Sequence, residues 1–98
     1  MGDTDSGAII IDNGANLALK QHGVSLLPAG VLNVNGTFER GDIVYVLDSQ
    51  KDKIACGISN YNSDDILRIK GIKSDQIQEV LGYDYGQEVV HRNNLVLI

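Results

Sequence analysis

Several short constellations in this chain carry residue types able to do chemistry, beginning with Asp12-Asn13-Gly14-Ala15. A glycine between a strand and a helix can bring backbone N–H groups onto a phosphate. Here one glycine stands alone, no Lys-Ser/Thr pair follows it, and Asp12 puts a carboxylate on the amides an anion would need. A helix cap is therefore the prediction. Arg40-Gly41-Asp42 matches a cell-adhesion triplet, but nothing in the chain points to secretion. It reads as a turn in which Gly41 takes an unusual φ and the two charges stay in water.

Cys56 alternates with Ile54 and Ile58, which predicts an inert thiol on a core face. A nucleophile would need a neighbouring base and an electropositive setting. His22 and His91 are far apart and no Cys/His spacing accompanies them, so no metal-ligating set is predicted. His22 suits a helix C-terminus, and the pair Asp64-Asp65 suits a helix's first turn, where acids complement the dipole. Readout of RNA would call for clustered bases with interleaved aromatics. Phe38, Tyr45, Tyr61, Tyr83 and Tyr85 belong to no such motif. Phe38 and Tyr45 read as core, Tyr83 and Tyr85 as the clamp of a turn. No catalytic, cofactor-binding or metal-ligating residue is predicted.

The elements around these residues are short. "GAIIID" predicts a buried β-branched strand over Ala8 to Ile11, and Asp12 caps a helix over Asn13 to His22 that Gly23 stops. Pro28 marks a strand entry, Val31 to Val34 form the strand, and Asn35-Gly36 turn it. A second turn spans Glu39 to Asp42. "IVYVL" is apolar at every position, which predicts a strand covered on both faces. "DSQKDK" is a hairpin loop and "KIACGISNY" the returning strand. Ser63 is expected to cap "DDILRIK" and Ser74 to cap "DQIQEVL", with Gly71 and Gly82 as stops. "EVV" and "LVLI" read as closing strands. The sum is an α+β fold: a small mixed β pseudo-barrel with short helices.

Bulk properties set the outer bounds. Ninety-eight residues with 43% hydrophobic content make one compact domain, too small to house a two-lobed cleft as well. Thirteen acidic against 8 basic residues give a net charge of −5, which works against steering toward nucleic acid or anionic membranes. Runs such as "LVLI" are too short to span a bilayer, so no membrane partner is expected. Residues 1–6 read as a flexible lead-in or expression remnant rather than a secretory signal, with the domain proper over 7–98. One cysteine allows no internal disulfide, which favours a cytoplasmic setting.

The segments together are more specific than any part. "GAIIIDNGANLALKQHGVSLLPAGVLNVNGTFERGDIVYVLD" resembles the first half of a PUA domain, the small pseudo-barrel of pseudouridine synthases and archaeosine transglycosylases. "GISNYNSDDILRIKG", "LGYDYG" and "EVVHRNNLVL" are similar to one subgroup, the C-terminal PUA domain of bacterial glutamate 5-kinases. Asn93 departs from that pattern, where an acidic residue is expected.

The resemblance implies an upstream amino-acid-kinase domain that phosphorylates L-glutamate with ATP and Mg²⁺, the first step of proline biosynthesis. It also implies a homo-oligomeric parent and a non-catalytic role here, with no cofactor held by this chain. Two functions then compete: a regulatory or structural appendage of the kinase, which the acidic balance favours, and an RNA-binding module. In PUA relatives that bind RNA, the face used combines the first helix, the loop and strand after it, and the final strand. Carried over, this makes Lys20, His22 and Arg92 the candidate RNA or partner contacts, with Arg40 in a turn that could border them.

Overall fold

The computed structural model describes residues 7–98; the expected lead-in at 1–6 lies outside them. Strand β1 (Gly7–Ile11) enters the core directly and helix α1 (Asn13–His22) follows one residue later. Asp12 is extended and its Oδ1 accepts from the Ala15 amide at 2.7 Å, satisfying one of the helix's unpaired donors. Gly23, at φ 59°, ends the helix in the left-handed conformation that glycine adopts without penalty. Pro28–Gly30 form a single 3₁₀ turn, and strand β2 (Val31–Gly36) returns beside β1.

Strands β3 (Ile43–Leu47) and β4 (Lys53–Ile58) make a hairpin closed by Asp48, whose Oδ1 accepts from the Gln50 and Asp52 amides. Helix α2 (Ser63–Ile69), helix α3 (Ile77–Leu81) and strand β5 (Leu95–Leu97) complete the chain. The sheet runs β2-β1-β3-β4-β5, with β1 and β3 parallel and every other pair antiparallel. An isolated antiparallel bridge between Leu26 and Val90 joins two segments outside the named strands. These pieces wrap one core that includes Ile9, Leu26, Phe38, Val44, Tyr61 and Ile66. No helix among the described residues is long and apolar enough to cross a membrane.

The α+β architecture matches the expectation, but several local readings do not. "IVYVL" is covered on both faces only at its Leu47 end: Val44 and Val46 are fully buried on the inner face and Leu47 is buried beside Ile10 on the outer one, whereas Ile43 is 60% exposed and Tyr45 half-buried. A strand's side chains alternate, and no second layer lies over the outer side of Ile43. Cys56 is not a core thiol. Antiparallel register sets Ala55 opposite Val46 and Gly57 opposite Val44, so those two face inward and Cys56 sits half-buried on the outer face with exposed Ile58. A register shift at Val46/Leu47 lets Ile54 face the core as well, which breaks the alternation the sequence displays.

Tyr45, expected in the core, lies outside it, with the Lys53 ammonium 4.2 Å from its ring centroid. Asn35 and Gly36 are not a turn but the end of β2, paired with Ala8 and Gly7. Asn62, not Ser63, caps α2 by accepting from the Asp65 amide. The buried Ser63 Oγ instead accepts from the Phe38 amide at 3.2 Å, tying the helix to the incoming loop. Ser74 begins a 3₁₀ turn with no side-chain cap, and α3 starts only at Ile77. "EVV" supplies one bridge at Val90 rather than a strand.

Candidate functional site

A concavity lies between α1 and the segment that follows it. Its geometry is fixed at both ends by backbone bonds: the Asp12 amide donates to the Gly30 carbonyl at 2.9 Å, and the Leu26 amide donates to Val90 O at 2.9 Å. At the Asp12 end, Gly30 approaches α1 so closely that a Cβ there would stand 2.6 Å from Ala15 Cβ. Only glycine permits that approach. The groove has a volume of about 320 Å³ and an apolar wall in which Ala18, Val24 and Leu27 figure, with Asp12 and Ser25 as polar points.

None of the four residues expected as contacts lines the groove, and only Arg92 is tied to it, through its backbone. Lys20 and His22 occupy the last turn of α1 and are exposed. Arg92 opens the 3₁₀ turn before β5, and its amide donates to Ser25 Oγ at 2.8 Å across 67 residues of chain. His91 caps that turn, its Nδ1 accepting from the Asn93 amide. Asn93, the departure from the family pattern, thus contributes through its backbone.

Arg40 is placed elsewhere. Its guanidinium carbon lies 3.9 Å from the centroid of the Tyr85 ring, a cation–π stack. Tyr85 packs in turn against Tyr61 and Tyr83, with ring centroids 5.5 and 5.4 Å away. The buried Tyr61 hydroxyl accepts from the Tyr85 amide at 2.9 Å and donates to the Gly86 carbonyl. Tyr83 donates to the buried Asp65 carboxylate at 2.7 Å. Burial, first of all, pushes the Tyr61 phenol above its ordinary value; the bond to Asp65 does the same for Tyr83. The expected Tyr83–Tyr85 clamp is real, but its hub is Tyr61. Asp65 is more than a dipole-complementing acid. Neither role is signalled locally, since the partners lie 24 and 18 residues apart.

These groups can stack, cap and hold a backbone, but none forms a nucleophile–base pair. Among the described residues no three His, Cys, Asp or Glu side chains gather as a metal site.

Comparison with known proteins places this geometry. The chain is 47% identical over 93 residues to a glutamate 5-kinase of Thermoanaerobacter sp. (strain X514), covering 95% of this chain and 25% of the relative. It is 50% identical over 91 residues to a glutamate 5-kinase of Thermus thermophilus, covering 93% and 25%. The chain thus spans about a quarter of the length of the curated relatives it matches. Among solved structures, a PUA domain from Aeropyrum pernix K1 in a tartrate complex superposes with a TM-score of 0.63 at 25% identity, over 88% of this chain and 41% of that one. A chain of the archaeal box H/ACA sRNP Nop10–Cbf5 complex gives 0.58 at 27% identity, over 67% of this chain and 21% of that one. A model of the PUA domain family matches residues 7–81, and the strand–helix–groove arrangement just described falls within that span: the chain belongs to the PUA domain family.

Proposed function

We propose that this PUA domain is the non-catalytic C-terminal accessory domain of a glutamate 5-kinase, acting as a regulatory or structural appendage of the kinase domain before it. The observation that carries this reading is identity of 47 to 51% along nearly the whole chain with enzymes four times its length. Phosphoryl transfer from ATP to glutamate, with Mg²⁺, is assigned to the preceding domain, in a homo-oligomeric cytoplasmic enzyme. The residues described here do not fit those cofactors. The helix N-terminus at α1 is taken by the Asp12 carboxylate, 2.7 Å from the Ala15 amide, where a phosphate would have to sit.

RNA binding is the second reading, favoured by the exposed Lys20 and His22 in the last turn of α1 and Arg92 before β5, and opposed by the −5 net charge. A salt titration of RNA binding by the 98-residue chain separates the two. The accessory reading predicts no detectable binding at low salt. Binding that is lost in Lys20→Glu/Arg92→Glu but kept in Lys51→Glu would establish an RNA face instead. Each phosphate contact removed would then lower the slope of log affinity against log salt by about one unit.

A further inference from the structure

The outer face of the sheet is covered at Leu47 but exposed and largely apolar along Ile43, Ile58 and Val96, with the Lys53 ammonium lying over Tyr45. Register pairs Ile43 with Ile58, and Tyr45 with Cys56, so these four side chains share one side of the sheet. Cys56 also pairs with Val96, which extends the same row onto β5. Ile43, Ile58 and Val96 are 60%, 40% and 64% exposed. The edge strand β5 would ordinarily carry charge to discourage association. It carries none over Leu95–Leu97. A contiguous apolar patch on an otherwise acidic domain marks a surface that another molecule covers.

Chain geometry names the occupant. β1 and β3 are parallel, with Ala8 level with Tyr45, so Gly7 lies level with Val44 and one position from Ile43. The chain therefore enters β1 at Gly7 one rung from the Ile43–Ile58 pair. A domain tethered there meets this patch at high effective concentration, whereas a free partner must find it by diffusion. The relatives carry three quarters of their length outside the matched region, enough for such a domain. We infer that the Ile43–Tyr45–Cys56–Ile58–Val96 face is the surface on which the domain preceding β1 in the same polypeptide docks, through an apolar patch of its own. This rests on the reading that a kinase domain lies upstream.

Cys56 sits at the centre of the row and is the chain's one cysteine, which makes it the probe. Maleimide labelling of Cys56, read by peptide mass spectrometry, is compared between the 98-residue chain and the full-length polypeptide. Docking predicts labelling at least about tenfold slower in the full-length protein. Ile43→Glu/Val96→Glu, at two exposed positions that leave the core intact, should return it to the rate of the isolated chain. Equal rates in a full-length protein that phosphorylates glutamate would overturn the docking inference and leave the accessory reading standing. A full-length protein without glutamate kinase activity would defeat both. Two further results would overturn the assigned occupant: protection that grows with the concentration of the isolated chain, meaning a second copy, or protection conferred by added RNA.

Discussion

At the residue scale, the most consequential side chain is one to which sequence reasoning gave no role. Tyr61 fills the core with its ring and uses its hydroxyl to hold the Tyr85 amide and the Gly86 carbonyl, so one residue fixes the 83–86 turn on which Arg40 stacks. Tyr61→Phe keeps the ring and orphans both backbone groups; a loss of about 1–3 kcal/mol is expected from urea unfolding. A neutral variant would show that the turn finds other partners. The pH dependence has a definite sign. Tyr61 and Tyr83 hold their protons more tightly in the folded state than in the unfolded chain. Their contribution to stability is present in full below the unfolded phenol value of about 10 and declines as pH rises through the raised folded values. Tyr83→Phe should flatten that alkaline decline in a melting series from neutral to alkaline pH; an unchanged profile would remove Tyr83 from the account.

At the element scale, legibility followed the range of the interactions involved. β1, α1 and the β3–β4 hairpin could be read because their signals are local: a β-branched run, an Asp12 cap with a Gly23 stop, and a polar turn between apolar runs. The faces of β3 and β4 could not. "IVYVL" is apolar at all five positions, so no alternation says which side is buried, and the register shift at Val46/Leu47 gives Ile54 and Cys56 different environments despite their spacing. The groove was not legible: Lys20, His22 and Arg92 came through the family resemblance and none lines it, and the link between Arg92 and Ser25 depends on the chain's return over 67 residues. Close approach sets a further test. A Cβ on Gly57 would stand 2.5 Å from the Asn94 carbonyl oxygen and 2.8 Å from Val90 Cγ1. Gly57→Ala should therefore push β5 off β4 and speed hydrogen exchange at the Leu95–Leu97 rungs, while Val44 and Val46 stay among the slowest amides. Undisturbed exchange along β5 would show that the approach can relax.

At the scale of the whole molecule, the described residues form a self-contained core, a groove beside α1 and a partly exposed apolar sheet face, and no catalytic group assembles among them. The isolated chain is expected to release no ADP from ATP and glutamate above a protein-free control, because the Asp12 carboxylate occupies the N-terminus of α1 and no glycine-lysine loop replaces it. The account stands most directly on a proline titration of glutamate-dependent ADP release by the full-length polypeptide, with and without residues 7–98. It predicts that the truncated protein still turns over, with a maximal rate or a proline midpoint displaced several-fold from the intact enzyme. Two superimposable curves would contradict it.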